Sequence, residues 1–170
     1  MDTQQVSVGQ CAVVLGVCQW LQEHPAATLD EAATAAERIS RKTRMCFLPN
    51  NLDYLRAGGR CSNAAALVGN LLNLHPCIEI IDGRLVAGKK YRGSLSRQAP
   101  VVLREFVQKH SLRKDQIYFI HTPNMDMDIR TALDAEASAM GFESITWIQT
   151  GCVITCHGGP GAFGIVGSVS

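Results

Sequence analysis

No part of this sequence is apolar for the ~18 consecutive residues that a membrane-spanning helix needs. Neither sign of charge dominates, with 16 Lys and Arg against 15 Asp and Glu, which argues against a dedicated nucleic-acid binder, a class that is basic overall. There is no G-x-x-x-x-G-K-[ST] loop to cradle a nucleotide phosphate, and no G-x-S-x-G elbow to carry a hydrolytic serine. No C-x-x-C pair occurs among the seven cysteines at 11, 18, 46, 61, 77, 152 and 156, so they read as buried free thiols rather than a disulfide framework. Cys152, Cys156 and His157 lie close together, but in a strand the two thiols share a face and the histidine points away. No metal site is expected there. The apolar stretch from Cys11 to Leu21 lacks a basic flank, since Asp2 is the only charge before it, and Gln22, Glu23, His24 and Pro25 replace a small-residue cleavage site. It reads as a core helix, and the protein is expected to be cytoplasmic.

What the sequence does have is 170 residues, 46% of them apolar, enough for one domain with a true core. Helical periodicity covers 9–23, and Thr28-Leu29-Asp30-Glu31 reads as a capping box opening a helix to about Thr43. A short strand at 45–48 precedes a short helix at 52–56 closed by Gly58 and Gly59, and a helix follows at 63–73. Asp82-Gly83 joins strands at 77–81 and 84–87 as a hairpin. The segment 96–110 carries an apolar stripe of Val102, Leu103, Phe106 and Val107, with Pro100 expected in its first turn. Strands are expected at 116–121, 145–149, 152–156 and 164–169, with a helix over 125–140. This alternation predicts an α/β (α+β) fold: a mixed β-sheet with helices packed on it. Nine basic residues between Arg84 and Lys114 face only Glu105, and the segment 115–143 is mostly acidic, so the neutral total hides a dipolar surface.

Two glycine-rich stretches stand out. In Cys156-His157-Gly158-Gly159-Pro160-Gly161-Ala162-Phe163-Gly164 a titratable ring sits beside backbone N–H groups of Gly158, Gly159 and Gly161 that would form an anion nest; a plain Gly/Pro turn fits the same residues. In Leu52-Asp53-Tyr54-Leu55-Arg56-Ala57-Gly58-Gly59-Arg60 the paired glycines place Arg60 either as a bidentate grip on a carboxylate or phosphate, or as a solvated residue after a Schellman-type cap. Arg92, in Tyr91-Arg92-Gly93-Ser94, belongs to the basic run and reads as an anion or partner contact, or as part of a solvated face.

The order of these elements carries a resemblance. LDYLRAGGR at 52–60, LLNLHP at 71–76, the Asp82-Gly83 hairpin, KKYRG at 89–93 and HGGPGAFG at 157–164 together resemble the DegV family of bacterial fatty-acid-binding proteins, along essentially the whole chain. The resemblance implies a non-catalytic lipid-binding subunit. It would hold one long-chain fatty acid in a buried tunnel between two domains and present the carboxylate to a separate fatty acid kinase subunit. It implies no cofactor beyond the bound lipid. His157 and Arg60 would meet the carboxylate, and Arg92 would face the kinase. Phe47, Leu67, Ile80 and Phe163, by their placement near the glycine stretches, are expected to line the acyl tail.

The family's first domain, source of hydroxyls on the carboxylate, has no counterpart in these residues. The expectation is therefore a helical connecting segment over 1–43 and a DegV-like C-terminal domain over 44–170. As a truncated product it would bind lipid weakly alone and self-associate through the apolar face left open. Peripheral membrane contact for lipid exchange is a further expectation. Two other readings compete: an esterase-like hydrolase using HGGPG as oxyanion hole, which lacks a nucleophile elbow, and a non-binding interaction fragment.

Overall fold

Thr28 accepts the Glu31 N–H on its hydroxyl at 3.3 Å while the Glu31 carboxylate accepts the Thr28 N–H at 2.8 Å, so the expected capping box forms. It opens α2 (Leu29–Lys42), which follows α1 (Val8–Glu23). Asp30 and Glu31 in the first turn of α2, and Arg41 and Lys42 in its last, match the helix dipole. The computed structural model describes residues 1–60 and 74–170. The helix expected at 63–73, Cys61 and the expected lining residue Leu67 fall outside the described residues.

After α2 come β1 (Thr43–Leu48), α3 (Asp53–Ala57), β2 (Leu74–Ile81), β3 (Arg84–Arg92), α4 (Leu95–His110), β4 (Leu112–His121), α5 (Met127–Ala139), β5 (Ile145–Gln149), α6 (Cys152–Gly158) and β6 (Phe163–Val169). The described strands form one mixed sheet in the order β3-β2-β1-β6-β4-β5. Only β4 and β5 pair in parallel; β6 lies antiparallel between β1 and β4.

Alternation along the strands gives the sheet two apolar faces. On one, α4 buries Val102, Leu103, Phe106 and Val107, and α5 buries Ile129, Leu133 and Ala137, against Cys46, Leu48, Ile117, Phe119 and Ile165. Each large side chain buried in this way contributes about 1.5–3 kcal/mol. On the other face Val8 of α1 packs on Met45, Ile80, Ile120 and Val166, and Leu55 of α3 packs on Ile78 with Phe47 and Leu85 beside it. Among the described residues, a cavity opens on that face between the segment before α1 and the end of α3. Outward on α1, Val14, Leu15 and Leu21 are exposed. No helix among the described residues is long and apolar enough to cross a membrane.

Several expectations are corrected. Residues 152–156, read as a strand, form most of α6: Thr150 and Gly151 turn the chain off β5, and Thr155 Oγ1 bonds back to the Gly151 carbonyl at 2.9 Å. Of the six described cysteines only Cys46 and Cys77 are buried; Cys11, Cys18, Cys152 and Cys156 are exposed free thiols. Pro100 lies in the second turn of α4, because that helix starts at Leu95. There it removes the N–H that would bond the Ser96 carbonyl. The strand expected at 77–81 begins at Leu74 and carries Pro76, tolerated where the β2–β3 register shifts.

Candidate functional site

The strand register lines up the floor of a cavity. Phe47 sits opposite Gly164, and Gly164 opposite Ile120, so one row across β1, β6 and β4 has a glycine at its centre. Beside that row Leu85 sits opposite Ile80 across β3 and β2, and Ile80 clusters with Met45 of β1. Between the ends of α1 and α3 these residues floor a cavity of about 260 Å³. A Cβ at Gly164 would lie 2.8 Å from the Cys46 carbonyl oxygen and 3.0 Å from Phe47 Cβ, so glycine keeps this part of the floor open.

Polar groups reach the same cavity from five segments. His157 and Gly158 come from the end of α6, and Arg60 from the turn after α3. Thr122 and Thr150 follow β4 and β5, and Gln5 and Ser7 precede α1. Phe47, Ile80 and Phe163, chosen from the sequence as lining residues, all border it. Arg92 does not: it is exposed at the end of β3, an edge strand.

Arg60 reaches the cavity through a Schellman cap. Its N–H donates to the Leu55 carbonyl at 3.2 Å, and the Gly59 N–H donates to the Arg56 carbonyl at 3.1 Å. Gly59 takes the left-handed conformation that this motif requires, with φ of 62°. The guanidinium folds back so that Nη1 donates to the Gly58 carbonyl at 3.1 Å. Gly58 in turn lies against the His157 ring, so Arg60 and His157 both contact Gly58 where they border the cavity.

The expected anion nest is not formed. The Gly159 N–H donates to the Thr155 carbonyl at 2.8 Å and the Gly161 N–H to the Pro123 carbonyl at 2.9 Å, while Gly158 is the last residue of α6. These bonds close the loop on its own chain. Gly159, with φ of 76°, makes room for Tyr54, whose Cδ2 would be 2.7 Å from an added Cβ.

Thr122, Thr150, Gln5 and Ser7 escaped the sequence reading. Thr122 is buried and holds the loop before β6, accepting the Ala162 N–H at 2.8 Å. Thr150 shares a hydrogen bond of 2.9 Å with Thr155. Ser7 adopts φ of 54° and ψ of −127°, unusual for a residue with a side chain. No motif marks any of the four; only the ends of their strands and helices bring them together. Among the described residues, the buried polar side-chain atoms without a partner are Gln5 Oε1 and His157 Nδ1, and both residues border this cavity.

A second polar cluster lies away from it, on the α4 side of the sheet. Buried Glu79 accepts Lys109 Nζ at 2.6 Å and contacts His110 Nε2 at 3.0 Å. Burial pushes the Glu79 carboxyl up, but the bonds from Lys109 and His110 outweigh it and hold the carboxyl below its ordinary value. Burial likewise holds His110 below its ordinary value, against the pull of Glu79. The partners in this cluster satisfy one another.

The family model described as "Uncharacterised protein, DegV family" matches residues 1–169. The chain belongs to the DegV family. A DegV domain-containing protein of Deinococcus radiodurans is 30% identical over 167 residues, covering 97% of this chain and 58% of that protein. A fatty acid-binding protein of Thermotoga maritima is 31% identical over 142 residues, covering 81% of this chain and 48% of its own length. Among solved structures, one described as fatty acid binding of a DegV family protein from Thermus thermophilus superposes with a TM-score of 0.83 at 31% identity, covering all of this chain and 60% of that one. This DegV chain thus spans less than two thirds of the length of each of these relatives.

Proposed function

We propose that this chain binds a long-chain fatty acid, with its acyl tail over the apolar floor at Phe47, Ile80 and Ile120 and its carboxylate at the rim held by His157 and Arg60. The observation that carries this reading is the cavity itself, an apolar floor with an imidazole and a guanidinium gathered at one edge. A carboxylate beside an apolar tail needs such partners, because desolvating it unpaired costs several kcal/mol. The Thermus and Thermotoga relatives, described as fatty acid binding, support the same ligand class.

In this reading the chain carries the lipid and performs no chemistry on it. A separate kinase subunit would phosphorylate the presented carboxylate, with exposed Arg92 on the side that meets it. The esterase reading has little to rest on, since the Gly159 and Gly161 N–H groups that would form its oxyanion hole are engaged within the chain.

Thermal unfolding with and without oleate tests the proposal. Oleate at about 100 times its dissociation constant stabilises the folded chain by about 2.7 kcal/mol, and His157→Gln shrinks that gain. An unfolding temperature indifferent to oleate across the micromolar range refutes it.

A further inference from the structure

The two glycine stretches pack into each other. Tyr54 of α3 rests on Gly159, and the His157 ring rests on Gly58, so each stretch supplies one ring and one notch. A Cβ built on Gly58 would overlap His157 Nδ1 and lie 2.9 Å from Cε1. The backbone at Gly58 does not itself call for glycine: φ of −75° and ψ of −6° is right-handed helical geometry that any residue adopts. Its neighbour is the opposite case, since a Cβ on Gly59 meets nothing within 4 Å but the φ of 62° strains other residues. One glycine therefore serves the turn, and the other serves the histidine.

Against the Gly58 notch, His157 Nδ1 is buried and has no hydrogen-bond partner among the described residues. A proton on that nitrogen would find no acceptor among the described residues, and a buried N–H left without an acceptor is costly, so the neutral ring keeps its proton on Nε2. The consequence bears on the ligand. A carboxylate only accepts hydrogen bonds, so an Nε2–H attracts it while a bare Nε2 lone pair repels it.

We propose that Gly58 is a positioning residue: the missing side chain seats His157 with Nδ1 covered, and so fixes the tautomer whose Nε2–H donates to a carboxylate in the cavity. The ligand half of this inference rests on the fatty-acid reading above; the tautomer half does not.

Long-range proton–nitrogen NMR correlations on the full chain, labelled with ¹⁵N-histidine at mildly alkaline pH, read the tautomer directly. His157→Gln identifies the signal among the five histidines. In the unaltered protein His157 shows a protonated Nε2 and an unprotonated Nδ1. Gly58→Ala displaces the ring, erases that pattern and weakens oleate binding about tenfold or more, the loss expected for one charge-assisted hydrogen bond. Gly59→Ala lowers stability through its backbone but leaves the His157 pattern intact. A protonated Nδ1 in the unaltered protein overturns the proposal whether or not Gly58→Ala folds, as does a His157 pattern unchanged in Gly58→Ala. If the tautomer behaves as described but the unaltered chain does not bind oleate, the fatty-acid reading fails and the role of Gly58 in seating the ring stands.

Discussion

Gly164 and Gly167 both lie on β6, and alanine at each would bring a new Cβ within 2.8 Å of a neighbour. The neighbours differ in kind. At Gly164 it is the Cys46 carbonyl oxygen, with Phe47 Cβ at 3.0 Å behind it; at Gly167 it is Cδ1 of Leu112, the far end of a flexible side chain. Carbon atoms are comfortable at about 3.5–4.0 Å, so Gly164→Ala must part backbone from backbone by several tenths of an ångström. The carbonyl belongs to β1, whose six residues from Thr43 to Leu48 are all in register with β6. Relief at one point therefore strains the central ladder. Overpacking of this kind costs about 1–3 kcal/mol, and at this chain length each kcal/mol moves the midpoint by about 2–4 °C. Differential scanning calorimetry should show Gly164→Ala melting about 2–12 °C lower. Gly167→Ala, relieved by a turn of Leu112, should lose less than half as much. Because the new methyl also rises from the cavity floor, Gly164→Ala should reduce stabilisation by oleate. Equal losses in the two variants, or the larger loss at 167, would refute the reasoning that the nature of the neighbour sets the cost.

Two other sites give measurable consequences. Stability should fall with acid in two steps: His110 is held neutral by burial, so the unfolded chain gains its proton first as pH drops below about 6.5, and Glu79, held charged by Lys109 and His110, adds a second loss below about 4.5. Urea titrations against pH should show the first step vanish in His110→Gln and the second flatten in Glu79→Gln. Thr122→Val keeps the shape of a buried side chain but strands the Ala162 N–H that it accepts, at a cost of about 1–3 kcal/mol in urea denaturation. An unchanged midpoint for Thr122→Val would mean that this bond does not hold the loop.

Local chemistry made some elements readable in the sequence. The capping box at Thr28, the Asp82-Gly83 turn and the apolar stripe of α4 each carry their own signal, and each stands where the sequence puts it. The errors arise where tertiary context decides. Val153, Ile154 and Thr155 are β-branched and favour a strand, yet they form a helix, packed against α3, that seats His157 in its notch. The beginning of β4 runs through Arg113, Lys114 and Asp115, polar residues without alternation, where the β4–β6 register shifts between Leu112 and Ile117. At the site, Arg60 and His157 were legible because glycines announce them. Their shared contact with Gly58 was not, since nothing in one segment describes the shape of another. Thr122, Thr150, Gln5 and Ser7 carry no pattern at all.

The position of β6 has a consequence for how the molecule assembles. Thr43 pairs with Ser168, so the middle of the sheet is stitched by segments 125 residues apart in sequence. As the polypeptide emerges from the ribosome, β1 to β3 can form one ribbon and β4 with β5 another, and among the described strands no ladder joins them until residues 163–169 arrive. Until then β1 and β4 each present an unpaired edge, a template for pairing with other nascent chains. Contacts this far apart in sequence also close slowly. The topology therefore implies a stage of folding in which two half-sheets wait for a seven-residue insert, and exposed edges of that kind are where aggregation starts.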